Sequence, residues 1–246
     1  MAPIVEQIDP WQIHLWLAWL GELTGARRLD EYRRLLSEEE LEKRARFYFE
    51  RDRHRYLVTR AMVRTVLAKY AHVEARDWRF TVNPYGRPEI APGLAVARRI
   101  EFNVSHTDGL VVMAVACERT IGVDVENVHV RKADIAGAER YFAAAEVAAL
   151  RALPRERQHD RFFQYWTLKE SYIKARGMGL SIPLDRFAFD LDDVTGVRLT
   201  VAPSLEDGPG RWRFWQLQLG PEHVAALCAE TVAHGWPEVA PARHWS

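Results

Sequence analysis

Apolar and polar positions alternate from Trp11 to Leu17, with Trp11, Ile13, Leu15 and Leu17 set against Gln12, His14 and Trp16. A period of two predicts a first strand. Ser37 followed by Glu40 is a capping box, which predicts that a helix starts there. That helix carries Lys43, Arg44, Arg46, Arg51, Arg53, Arg55, Arg60 and Arg64, with Phe47, Tyr48 and Phe49 among them. Its apolar stripe is Leu57, Met62, Val63, Val66 and Leu67. A strand from Trp78 to Val82 runs into a turn punctuated by Pro84, Gly86 and Pro88. The segment from Glu101 to Gly109 leads into an apolar strand, Leu110 to Ala116. The next strand runs from Thr120 to Glu126, and the two are expected to form a hairpin through Cys117, Glu118 and Arg119.

The Ala-rich stretch from Ile135 to Leu153 is predicted to be helical, with a polar loop from Pro154 to Asp160. A second long helix follows, with Phe162, Tyr165 or Trp166, Leu168, and Tyr172 or Ile173 at helical spacing. Gly177 and Gly179 stop it. Three further strands are predicted: Arg186 to Leu191, Trp212 to Leu219 and His223 to Ala229. Glu206 to Gly210 reads as a plain turn. Residues 236–246, rich in proline, show no pattern and are expected to be a loosely ordered tail.

Two of these elements carry chemistry. In Ile121-Gly-Val-Asp-Val-Glu126 the apolar residues form one face, and Asp124 and Glu126 share the other. Two acids so placed are solvated, or they share a cation. In the second long helix Trp166, Glu170 and Lys174 fall at successive i, i+4 steps on one face. Glu170 and Lys174 are then an ordinary surface pair, or Glu170 joins the two strand acids. Three carboxylates completed by water and phosphate would suit Mg²⁺. Lys169 points away from that face and reads as a surface lysine.

Composition narrows the field. With 34 basic and 34 acidic residues in 246, the formal net charge is zero, so no global basic field attracts nucleic acid. No apolar run is long enough to span a bilayer. The start, Met1 to Trp11, lacks the features of a cleaved leader. Cys117 and Cys228 both lie in apolar contexts and read as buried thiols, which fits a reducing cytoplasm.

Gly122-Val-Asp-Val-Glu126, then Trp166-Thr-Leu-Lys-Glu-Ser-Tyr-Ile-Lys174, then Gly177-Met-Gly-Leu180 together resemble the 4′-phosphopantetheinyl transferases of the larger, Sfp type. The resemblance extends from about residue 40 to the last predicted strand. It implies an α+β pseudo-dimer of two similar halves, each a small antiparallel sheet on a long helix, with the site in the cleft between them. The halves would be residues 1–118 and 119–235, in a monomer. The implied reaction moves the phosphopantetheine arm of coenzyme A to a serine of an apo acyl- or peptidyl carrier protein, releasing 3′,5′-ADP.

By the same resemblance Asp124, Glu126 and Glu170 hold Mg²⁺. Glu170 is the candidate general base, a water relaying the proton being the alternative, and Lys174 neutralises a phosphate. Phe102-Asn-Val-Ser-His106 matches a family motif in which Ser105 and His106 face the phosphates. Tyr85-Gly-Arg-Pro88 matches another, with Arg87 as a phosphate ligand. Lys43 and Arg55 fall where bases reach the 3′-phosphate, whereas Glu40 stands where some members carry a second lysine. Tyr141, Phe142, Arg155, Arg157 and Arg161 are candidates for a carrier-docking edge. Two rival readings are a non-catalytic module that grips coenzyme A or a carrier, and a basic-helix nucleic-acid binder.

Overall fold

The structure is a computed structural model that describes residues 5–94, 96, 98–191, 196–231 and 237–246. The chain opens with strand β1 (Gln12–Trp19). Helices α1 (Ala26–Arg33), α2 (Glu38–Ala45) and α3 (Glu50–Leu67) follow. A short hairpin, β2 (Phe80–Val82) and β3 (Pro88–Ile90), leads to β4 (Ile100–Thr107) and β5 (Leu110–Cys117). Then come β6 (Ile121–Asn127), α4 (Ala144–Ala152) and α5 (Arg155–Arg176). A second short hairpin, β7 (Phe187–Asp190) and β8 (Arg198–Val201), precedes β9 (Trp212–Gln218) and β10 (His223–Glu230). Two short strands close the chain, β11 (Glu238–Val239) and β12 (Arg243–His244).

Two antiparallel sheets are built on one plan. The first has the order β1-β5-β4 and the second β6-β10-β9. Each takes its first strand before its long helix and its last two strands after a separate two-stranded hairpin. Three apolar clusters give the layering. Ile13, Leu15, Val112 and Ala114 of the first sheet pack on Val123, Val125 and Leu227 of the second. The outer face of the first sheet packs on α3 through Met113, Val115, Leu57, Met62 and Val66. The outer face of the second packs on α5 through Ala226, Cys228, Leu168 and Tyr172. Burying both faces explains why β5 and β6 are apolar or shielded along their whole length.

The sheets meet along β4 and β6 without a backbone ladder. Instead β4 offers side chains: Asn103 Oδ1 accepts from Val123 N at 2.9 Å, and Thr107 Oγ1 accepts from Asn127 N at 3.1 Å. The expected hairpin between β5 and β6 therefore does not form. Residues 118–120 carry the chain from one sheet to the other, with Glu118 in the left-handed region at φ 56°. β5 pairs with β1 and β4, and β6 with β10.

Other expectations are corrected in the same way. The single basic helix is two, α2 and α3, because Phe49 adopts extended backbone and restarts the helix. The capping box at Ser37 and Glu40 is present as expected. Helix over 135–153 is limited to α4 and one 3₁₀ turn at Ala138–Arg140. The polar stretch after Pro154 is the first turns of α5. The tail is not loose over its described residues. β11 and β12 add to β1 in parallel, and Trp245 is buried, stacked on Tyr32 and donating to Thr65 Oγ1 at 2.9 Å. Among the described residues, no helix is long and apolar enough to cross a membrane.

Candidate active site

The acids of β6 face α5, and glycine decides how closely. Gly122, Asp124 and Glu126 lie on one side of the strand by its period of two. A Cβ at Gly122 would come within 2.1 Å of Ser171 O and 2.4 Å of Ala175 N, so the strand and helix touch backbone to backbone. That contact brings the last turns of α5 over the acids. Lys174 Nζ lies 2.6 Å from Asp124 Oδ1 and 2.9 Å from Ser105 Oγ, and Ser105 Oγ donates to Asp124 Oδ1 at 2.8 Å. Three elements, β4, β6 and α5, thus meet at one carboxylate.

Neither strand acid is solvated. Asp124 is 5% exposed and Glu126 7%. Glu126 is ion-paired with Arg131, which also lies over the Trp166 ring, and the indole hydrogen-bonds the same carboxylate. Burial, then the Asp124 charge, raises the Glu126 carboxyl above its ordinary range. Glu170 is pushed up to about 7, first by burial and then by Asp124, with Lys174 opposing. The three carboxylates feel one another. Among the described residues, however, no three acidic, His or Cys side chains form a ready-made metal cage. Lys174 and Arg131 take the places of counter-charges.

The donor set still fits a hard cation. All three groups are oxygen donors, and Asp124 Oδ2 is buried with no hydrogen-bond partner. An unpaired buried carboxylate oxygen is costly, and a cation there would satisfy it while relieving the repulsion that raises Glu126 and Glu170.

The remaining candidates scatter. His106 is an exposed residue of β4. Desolvation by surrounding protein, then the Arg55 charge, lowers its imidazole below the ordinary value. Arg55 on α3 is ion-paired to Asp52 at 2.8 Å. Lys43 on α2 is exposed, its ammonium 5.9 Å from the Tyr56 ring centre. Arg87 lines a cleft together with Glu170 and Lys174. Its guanidinium donates to Lys174 O, Ala175 O and Ile121 O. Glu40 is buried between Arg60 and Arg64, accepting from Arg64 Nε at 3.0 Å. With Arg44 and Arg53 set on Glu50 as well, much of the basic helix's charge is answered within the chain. Phe142 is core, packed on Phe162 and Tyr165.

Three residues escaped the sequence reading. Lys169 is not on the surface. It is 1% exposed, 2.8 Å from Glu146 Oε2, and donates to Leu184 O and Phe187 O at 2.7 Å each. Its signal was position: it stands i+4 from Tyr165 and i−3 from Tyr172, inside the apolar stripe. Glu146 also accepts from Ala143 N and Phe189 N. Asp207, in the supposed plain turn, accepts from Tyr172 OH, Arg176 Nη1 and Trp212 Nε1 at 2.6–2.9 Å. Tyr172 and Arg176 are more than thirty residues away in sequence, and no local signal marks their meeting with Asp207.

A cleft of about 260 Å³ opens beside the cluster, lined by Tyr85, Val104, Glu170, Ile173, Lys174 and Leu180, and so by both sheets' neighbourhoods. Larger surface grooves, such as the one of about 610 Å³ at Met178, Ile182 and Arg186, hold none of the acids.

Comparison with known proteins accounts for both parts of the chain. A family model described as the 4′-phosphopantetheinyl transferase superfamily matches residues 120–228, and one described as 4′-phosphopantetheinyl transferase, N-terminal, matches residues 26–118. The chain is 31% identical over 225 residues to the 4′-phosphopantetheinyl transferase HetI of Nostoc sp., covering 92% of this chain and 90% of that protein. It is 33% identical over 200 residues to the 4′-phosphopantetheinyl transferase Sfp of Bacillus subtilis, with 81% and 84% covered. A further 4′-phosphopantetheinyl transferase of Bacillus subtilis is 36% identical over 194 residues, with 79% and 82% covered.

Proposed function

The chain belongs to the 4′-phosphopantetheinyl transferase superfamily, and from that premise we propose how its own residues carry the reaction. It is an enzyme that transfers the phosphopantetheine group to carrier proteins. In our reading coenzyme A is the donor, a serine of an apo acyl- or peptidyl carrier protein is the acceptor, and 3′,5′-ADP leaves. One observation carries this reading: Lys174, Asp124 and Ser105 meet beside Glu126 and Glu170 at the junction of β4, β6 and α5.

Each group has a part. Asp124, Glu126 and Glu170 would hold Mg²⁺. When bound, Mg²⁺ supplies positive charge against the negative charge that develops on the pyrophosphate oxygens. Lys174 and Ser105 face those oxygens, an ammonium and a hydroxyl that donate to phosphate once substrate displaces their present contacts. His106 on β4 and Arg55 on α3, whose charges act on each other, would orient the diphosphate, and the exposed Lys43 would reach the 3′-phosphate. Glu40 cannot serve there, since two arginines already hold it in place. Glu170 accepts the serine proton. Burial and the Asp124 charge push its carboxyl up to about 7; as a ligand to the cation it would be less basic, and a water would then relay the proton in its place.

The same plan of strands in both sheets supports a pseudo-dimer whose halves join near Glu118, acting as a monomer. The two buried, free cysteines support residence in a reducing cytoplasm.

Intact mass of an apo carrier protein, incubated with this protein, coenzyme A and Mg²⁺, tests the proposal. The expected gain is one phosphopantetheine arm, lost with EDTA and in Glu170→Ala. No gain with any of several carrier classes, despite calorimetric binding of coenzyme A, would leave a binding module instead.

A further inference from the structure

The last turn of α5 is held from outside its own half. A helix ends with carbonyls that have no partner within it. At the end of α5 Gly177 N donates to Lys174 O at 3.1 Å, and the β2–β3 turn supplies the further donors. Arg87 Nη1 donates to Lys174 O at 2.7 Å and to Ala175 O at 2.9 Å, and Asn83 Nδ2 donates to Gly177 O at 2.7 Å. The other arm of the guanidinium reaches Ile121 O at 3.2 Å and Glu101 at 3.4 Å. One side chain, 10% exposed, thereby ties α5 to the first residue of β6 and to β4.

The turn is built for this grip. Asn83 Oδ1 accepts from Tyr85 N at 2.9 Å and Arg87 N at 3.0 Å, which leaves its amide nitrogen aimed at α5. Gly177 has φ 67°, and a Cβ there would crowd Asn83 Nδ2 at 3.2 Å and Arg87 Cδ at 3.3 Å. A cation at a helix C-terminus is also favoured by the helix dipole.

We propose that Asn83 and Arg87 form a cap supplied across the cleft, which fixes the last turn of α5 and so positions Lys174 against Asp124. Arg87 is then a positioning residue and not a phosphate ligand. Its guanidinium is spent on three carbonyls and a carboxylate, and a fork is the geometry that reaches them together. The proposal rests on the reading of Lys174 and Asp124 given above.

The test compares Arg87→Gln, Arg87→Lys and Asn83→Asp. Asn83→Asp keeps the turn's acceptor and exchanges the donor to Gly177 O for a charged acceptor. Turnover is measured with a carrier protein, coenzyme A binding by calorimetry, and hydrogen exchange at residues 174–177. A cap predicts that Arg87→Gln and Asn83→Asp each lower kcat by about tenfold or more, with faster exchange in that turn. Coenzyme A affinity should stay within about threefold, and Arg87→Lys should restore only part of kcat. Arg87→Gln in a Lys174→Ala background should cost little more than Lys174→Ala alone.

A phosphate ligand would behave otherwise. Coenzyme A binding would weaken at least about tenfold in Arg87→Gln, Arg87→Lys would recover it, and kcat and exchange would stay as in the parent. That result, or parental kcat and exchange in Asn83→Asp, overturns the proposal. If Arg87→Gln does not fold, Asn83→Asp decides. Absence of transfer by the parent protein would count against the proposed function, whereas the exchange measurement still judges the cap.

Discussion

Replacing Gly122 by alanine adds one methyl where the strand of acids touches the helix that carries Glu170 and Lys174. The new Cβ would lie 2.1 Å from Ser171 O, 2.4 Å from Ala175 N and 3.0 Å from Ala175 Cα. All three are backbone atoms, so no side-chain rotation relieves the overlap. Ordinary contact begins near 3.4 Å, and α5 must therefore retreat from β6 by more than about 1 Å. The Lys174–Asp124 contact, now 2.6 Å, lengthens by a similar amount and leaves hydrogen-bonding range.

Overpacking of this kind costs about 1–3 kcal/mol of stability, and a displacement of this size at a reacting centre costs roughly 100-fold in rate. Gly122→Ala is therefore expected to fold, to unfold at lower urea, and to transfer the arm about 100-fold more slowly by intact-mass assay. Gly208→Ala is the control. Its added Cβ meets nothing within 4 Å and its φ is −102°, so stability and rate should both match the parent. Parental turnover in Gly122→Ala would refute the claim that backbone contact between β6 and α5 sets the site.

Three other perturbations probe separate supports of the fold. Lys169→Met leaves Glu146 buried without its cation and should cost about 3–5 kcal/mol in urea unfolding, with much of the loss recovered when Glu146 is also made apolar. Trp245→Ala removes the buried indole that pins the chain's last residues to α1 and α3, and should cost about 3 kcal/mol or more by the same measurement. His14 gives a pH dependence. Burial, then the Arg243 charge, lowers its folded pKa below the ordinary 6.5. Below that value the unfolded chain binds the extra proton, so this part of the stability is complete above about pH 6.5 and is lost on acidification toward the folded pKa. Urea midpoints between about pH 5 and pH 7.5 should rise with pH, and the slope should be shallower in His14→Gln.

What could be read from the sequence was whatever a local period or a fixed spacing records. The acids of β6 share a face because a strand has a period of two, and Glu170 and Lys174 share one because a helix turns every 3.6 residues. The stop at Gly177, the capping box at Ser37 and the strands β1, β9 and β10 are local signals of the same kind. Pairing partners are not local. Two consecutive apolar strands suggest a hairpin, yet β5 and β6 belong to different sheets because each finds a better edge far along the chain, on β1 and on β10. The tail lacks a period because it follows the edge of β1 in two short pieces, Glu238–Val239 and Arg243–His244, so no run is long enough to show alternation.

The charged residues misread share one feature. Lys169 was assigned to the surface and Asp207 to a plain turn, while each side chain is buried and hydrogen-bonded to groups far along the chain, Phe187 O for Lys169 and Tyr172 OH for Asp207. A buried charge is tolerable only when paired and hydrogen-bonded, and such pairing is a property of the packed fold. Lys169 was nonetheless open to a stricter reading. A lysine inside the stripe of Tyr165, Tyr172 and Ile173 cannot reach water from the helix's inner face, so it demands a buried acid. In the structure that acid is Glu146 on α4. A polar residue that breaks an apolar period is thus better treated as a demand for a partner than as an exception to the period.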